Sequence, residues 1–230
     1  MTPTRRASLA AGVLFVTATV SGLAGSAIEP EISGADALAA LPGSSQAFLL
    51  AALLQLVAAG TSVGIAVALY PVLRQAHATL ALGSVVFRTI EAVFYTVAVV
   101  GALSVLPLAR ELATAPADQQ AGIHTMAEMM VGLHDHAAVA GVVAFSTGAL
   151  LYYIAFYRSG LLPRWLSAWG VIGVISMLAA CVLALFADRP VTGYVALVLP
   201  IGVQEMVFAG WLLVRGFAHE PQRSTVPALA

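Results

Sequence analysis

Three ionisable residues stand inside apolar runs of this chain, where a membrane or a dry core would reject them. Arg88 and Glu91 lie within residues 79–106, and Glu205 lies within residues 191–214. A charged side chain at a bilayer centre costs roughly 2.5–3.5 kcal/mol on insertion scales, so such residues persist only when paired, solvated or used. Arg88 and Glu91 are three residues apart and share one helical face. A guanidinium between two carboxylates engages both prongs of its planar fork. One positive and two negative groups leave an excess negative charge, which one carboxylate can cancel by holding a proton. Two readings follow. The trio is either a buried staple that locks helices together, or the polar floor of a cavity that binds a small solute or relays a proton.

A second constellation is His134-Asp135, which enters the run 129–157 from its outer end. Together they could serve as acid and base in a membrane-embedded enzyme, or cap a cavity above Arg88. On one continuous helix His124, Glu128 and Asp135 fall within about 40° of each other. These are ordinary divalent-metal ligands, but the spacing matches no zinc signature. A solvated interfacial patch explains them without an ion, so neither a metal nor a cofactor is expected. Gln55 adds a polar side chain to the run 46–70. No Ser–His–Asp or Cys–His arrangement is present. The single Cys181 forms no internal disulfide.

The elements that must hold these residues follow from composition. The chain has 230 residues, 60% of them hydrophobic and 9% charged, against about 25% charged in soluble domains. Its natural solvent is the lipid bilayer. A formal net charge of −1 gives no basic field, which excludes nucleic acid as a partner. A membrane-crossing helix needs about 20 apolar residues. Six segments qualify: 7–28, 46–70, 79–106, 129–157, 165–187 and 191–214. The fold class is therefore all-α, a polytopic bundle of six transmembrane helices. Residues 1–217 form one domain, and 218–230 read as a polar, disordered tail. Turn chemistry separates the spans: Glu29-Pro30 to Leu41-Pro42-Gly43, Pro71 to His77, Arg110 to Gln120, Ser159-Gly160 with Pro163, and Asp188-Arg189-Pro190.

Arginines orient the bundle. With the N-terminus cytoplasmic, Arg5, Arg6, Arg74, Arg158, Arg164, Arg215 and Arg223 fall inside, and only Arg110 and Arg189 outside. At 1.5 Å per residue, Arg88, Glu91 and Glu205 then lie about 12, 16 and 14 Å from the inner face, and Gln55 about 22 Å along its helix from Tyr70. The three charges share a layer near the midplane, which predicts that the third and sixth helices are adjacent. Gly60 and Gly64 read as a helix-packing pair. Trp165, Trp169, Tyr70, Tyr152, Tyr153 and Trp211 read as interfacial belts.

Two features complicate this reading. Thr4-Arg5-Arg6-Ala7-Ser8-Leu9 resembles part of a twin-arginine export signal, with Gly25-Ser26-Ala27 as a cleavage site. The apolar run of 7–28 exceeds the 7–15 residues of a signal core, so a retained first helix is expected. Glu91-Ala92-Val93-Phe94 is echoed by Glu205-Met206-Val207-Phe208, near half the chain on, as an inverted repeat would be.

Several blocks together resemble a known pattern. They are Ala10-Ala11-Gly12-Val13-Leu14-Phe15, Gly64 to Arg74, Phe87-Arg88-Thr89-Ile90-Glu91-Ala92, Leu133-His134-Asp135, Leu162-Pro163-Arg164-Trp165-Leu166, and Leu199-Pro200 with Glu205. Jointly they resemble the bacterial membrane family DUF4386, a domain of unknown function, over nearly the whole chain. The resemblance implies a retained first helix and a polytopic architecture. It names no reaction. The family pattern usually has an aromatic where this chain has His136, so no role is carried onto His136.

The expectation is thus a multi-pass protein of the cell inner membrane with both termini cytoplasmic. It would bind or transport a small solute or a proton through Arg88, Glu91 and Glu205. The alternatives are an enzyme using His134 and Asp135, and an accessory protein whose polar cluster is structural. Its partners are the bilayer and a small-molecule ligand. The oligomeric state is left open.

Overall fold

The computed structural model describes residues 1–187 and 191–218. Helix is their regular secondary structure, joined by short turns, with no strand among them. α1 spans Pro3–Ile28: the Thr2 hydroxyl accepts from the Arg5 amide, and Pro3 fills the first turn, where its missing N–H costs nothing. The short α2, Ala35–Ala40, and a tight turn at Leu41–Ser44 lead into α3, Ser45–Leu112. α4 spans Ala117–Ser159 and stops at Gly160, whose φ of 68° is cheap for glycine. α5 spans Arg164–Ala187 and α6 spans Val195–Val214. The break expected at Asp188-Arg189-Pro190 and the tail from 219 lie outside the described residues.

Five helical stretches, not six, are long and apolar enough to cross a membrane. The second and third expected spans are one element. Straight, the 68 residues of α3 would reach about 100 Å. Instead His77 leaves the helix (φ −146°, ψ 81°) and the chain folds back on itself. Ser62 and Glu91 would stand about 43 Å apart on a straight helix. Their side chains are hydrogen-bonded at 2.9 Å. The connection expected over 71–77 is therefore helical up to its last residue. Pro71 is accommodated within the helix, and Gln75 Nε2 donates to its carbonyl at 3.1 Å. Val72 and Leu73 continue the buried face of the first arm. α4 likewise begins well before the expected Met129, because Ile123 and Ala127 bury one face of an otherwise polar segment.

The helices form a ring. α1 packs on α3 and α6, α3 on α4, α4 on α5, and α5 on α6. Against expectation, α3 and α6 make almost no close backbone approach among the described residues. The start of α1, the end of α6 and the α4–α5 turn share one face. Arg5 reaches the carbonyls of Leu212 and Leu213, and the Ala218 amide donates to Leu161 O. Near this terminal face lies a core of Phe15, Leu69, Leu73, Tyr152, Phe156 and Phe208, with Leu212 beside them. A second core, of Leu38, Leu41, Phe48, Val105 and Leu106, lies toward the opposite face.

Between lipid-soluble helices, close backbone approach through small residues is the main source of attraction. The second arm of α3 and α4 follow this rule. A methyl added at Gly83, Gly101, Gly141 or Gly148 would come 2.9 Å from Leu151, 3.0 Å from the His134 backbone, 2.7 Å from the Tyr95 ring and 3.3 Å from Arg88, respectively. Each contact pairs positions whose numbers sum to nearly the same value. The two helices therefore keep one antiparallel register along their length, and that register sets Arg88 opposite Gly148.

Candidate functional site

Arg88 is buried at 2% exposure, and its side chain points into the middle of the ring. Gly148 makes room for its stem, and the Phe145 ring lies 4.4 Å from the guanidinium carbon, within range of a cation–π contact. Nη1 donates to Glu91 Oε2 at 3.0 Å, to Glu91 Oε1 at 3.3 Å and to Ser62 Oγ at 3.1 Å. Nη2 donates to the Tyr152 hydroxyl at 3.1 Å and reaches Glu205 Oε1 at 3.5 Å. Tyr152 OH in turn donates to Glu205 Oε1 at 3.4 Å. Four segments thus supply one cluster: both arms of α3, α4 and α6. Buried Arg88 Nε has no hydrogen-bond partner among the described residues.

The two carboxylates are held unequally. Glu91 is 3% exposed and engages both oxygens, with Ser62 donating to Oε1 at 2.9 Å. Among the described residues Glu205 has only two long contacts, at the edge of hydrogen-bonding range. Its side chain is 15% exposed, and no described residue bonds its Oε2. Glu205 is the looser of the two, and its side chain is not wholly covered.

A second buried chain of polar groups runs beside the first. Tyr153 OH donates to Gln204 Oε1, and Gln204 Nε2 donates to Leu166 O at 3.1 Å. Ser62, Tyr152, Tyr153 and Gln204 were not expected at the site. Tyr152 and Tyr153 read as interfacial belt residues but are fully buried, because each phenol finds a partner in the polar layer. Their signal in sequence is adjacency: Gln204 precedes Glu205, and Ser62 sits between the small residues Gly60 and Gly64.

The remaining predicted site residues lie elsewhere. His134 Nδ1 lies 3.0 Å from Ala98 O on the α3–α4 seam. Asp135 and His136 are exposed, and the His136 ring bonds to Gly132 O of its own helix. Gln55 Nε2 donates to Ser26 Oγ at 3.0 Å, tying the first arm of α3 to α1. His124 and Glu128 line a shallow hollow of about 110 Å³ with Ser33 and Leu38. Among the described residues no three His, Cys, Asp or Glu side chains gather as a metal-holding group. Near His134, Glu29 ends α1. Burial holds its carboxyl above the usual carboxylate range; nearby His134 offsets this in part, and Glu31 adds to it.

No curated protein and no solved structure shows detectable similarity to the chain. A family model described as "Domain of unknown function (DUF4386)" matches residues 10–216, which include every member of the Arg88 cluster, and the chain belongs to that family.

Proposed function

We propose that this protein crosses a bacterial inner membrane six times, with the two arms of α3 as separate crossings and both termini cytoplasmic. In support, Arg5, Arg6 and Arg215 stand at the terminal face, with Arg158 and Arg164 flanking the α4–α5 turn there. The cluster of Arg88, Glu91 and Glu205 is the working part: it binds or passes a proton or a small solute at the bilayer midplane. The observation that carries this reading is the inequality of the carboxylates. A staple needs one carboxylate for one guanidinium, and Glu91 meets that need with two bonds. Glu205 adds a second negative charge on a part-exposed, weakly bonded side chain. An ionised carboxylate held only by long contacts at this depth is costly, and its part-exposed side chain gives a proton access, so Glu205 exchanges its charge state.

His134 and Asp135 support an acid–base enzyme less well. They are adjacent in sequence, but one is bonded on the helix seam and the other is exposed.

The test is a proton count. Purified protein is titrated potentiometrically beside Glu205→Gln, with helicity followed by circular dichroism. The wild type should release one more proton per chain than the variant while both stay folded. Superimposable titrations would leave the cluster a staple.

A further inference from the structure

α1 and α6 touch near the terminal face and part beyond it. Arg5 donates to Leu212 O at 3.0 Å and to Leu213 O at 2.7 Å, and Ser8 donates to Leu212 O at 2.6 Å. A methyl at Gly12 would meet Leu213 at 2.8 Å, and the rings of Phe15 and Phe208 lie 5.1 Å apart. Arg5, Ser8 and Gly12 form one stripe of α1 by three- and four-residue steps. The same stripe continues through Val16, Thr19 and Leu23, where Val16 and Leu23 are exposed, at 38% and 69%, and Thr19 is half-buried. α6 behaves alike. Ala209 is buried against α1, yet Gly202 and Val195, seven and fourteen residues earlier on the same stripe, are exposed. Farther along, α1 leans on the first arm of α3 instead: Gly25 packs against Ala51 O, Leu54 and Gln55.

Both facing stripes therefore open at the level of Val16 and Gly202. Glu205 lies between Ala209 and Gly202 on that same stripe of α6, at the closed end of the opening. This explains how a side chain beside a guanidinium at mid-depth keeps 15% of its surface exposed. The walls are apolar: Val16, Leu23 and Val195. Behind Glu205, Arg88 and Glu91 neutralise each other, so the excess negative charge of the cluster is that of Glu205 itself.

An apolar opening toward lipid with a carboxylate at its base selects by two terms at once. Anions are repelled. A small inorganic cation would need more oxygen ligands than one carboxylate supplies. A cation with an apolar body satisfies both the walls and the charge. We infer that the α1–α6 opening is a binding site for monovalent lipophilic cations, with Glu205 as their counter-charge. This rests on the reading above that Glu205 exchanges its charge, and the cation and the proton compete for it.

The test is equilibrium dialysis of tetraphenylphosphonium against the full chain in detergent. The probe's charge is independent of pH, so any pH dependence belongs to the protein. The expected result is saturable binding at one site per chain. On the acid side its affinity falls about tenfold per pH unit, because only the ionised fraction binds. Glu205→Gln should abolish binding. Val16→Trp, at a lipid-exposed position where folding is not at risk, should weaken it about tenfold or more by filling the opening. Binding that survives unchanged in both variants, or an absence of saturable binding in the wild type, overturns the inference. If the wild type still releases the extra proton while the probe does not bind, only the inference falls; if the proton is absent too, the proposed function falls with it.

Discussion

Arg88 and Glu205 meet with 3.5 Å between Nη2 and Oε1, although they stand on helices that barely approach each other. The length of the arginine side chain closes the gap, and Tyr152 from α4 braces it by bonding both. The centre of the ring is thus crossed by a side chain rather than by helix packing. Helix-to-helix contact alone could not hold Glu205 there, so the polar layer is sensitive to each of its members.

Arg88→Ala strands Glu91 in the interior and should destabilise the protein by about 3–5 kcal/mol. Arg6→Ala, at an exposed position, should cost little. Thermal unfolding of the two variants in the same detergent decides this. Equal melting temperatures would mean that the cluster does not hold the fold.

Glycines at helix seams should reject even one methyl where the space is taken. At Gly170 an added Cβ would sit 2.5 Å from the Tyr153 ring. Gly170→Ala should therefore cost about 1–3 kcal/mol by overpacking. A Cβ added at Gly122 would meet no described neighbour within 4 Å, so Gly122→Ala should stabilise by about 0.8–1 kcal/mol through helix propensity alone. Opposite signs in a thermal-shift measurement are the expected outcome.

Part of this site was legible because a charge in an apolar run is conspicuous by type alone. Arg88, Glu91 and Glu205 could be placed at one depth from residue counts. Depth says nothing about lateral neighbours, so the adjacency of the third and sixth spans was inferred and is not found. Ser62, Tyr152 and Gln204 carried no more than adjacency as a signal, since hydroxyls and amides are common in membrane helices and their role depends on which face meets the cluster. Hydropathy marks crossings but not breaks in a hydrogen-bond ladder. The fold-back at His77 uses one residue with negative φ, which needs neither glycine nor proline. Pro71, the visible breaker, sits six residues too early.

Glu29 should make stability depend on pH. Burial raises its carboxyl in the folded state, and it also ends α1, where the helix dipole disfavours a negative charge. The folded protein therefore holds this proton more tightly than the unfolded chain, whose value is about 4.3. Stability from this group is full below that value and is lost as pH rises through the raised one. Glu29→Gln should raise the melting temperature at neutral pH, and the gain should vanish at acid pH. A variant that melts lower at neutral pH would contradict this.

Six crossings with cytoplasmic termini require Gly34 and Gly160 on opposite sides of the membrane. Reporter fusions should read outside at Gly34 and inside at Gly160. The same reading at both positions would break the topology, because residues 45–159 would then cross an even number of times.

The most direct measurement of the central claim is infrared difference spectroscopy of the carboxyl C=O stretch, recorded as the pH of reconstituted protein is stepped. The account predicts a protonated-carboxyl band that disappears on raising the pH in the wild type and is missing from Glu205→Gln. A wild-type spectrum without that band at any pH, or one that the variant reproduces, would show that Glu205 keeps a single charge state and that the cluster serves only to hold the helices.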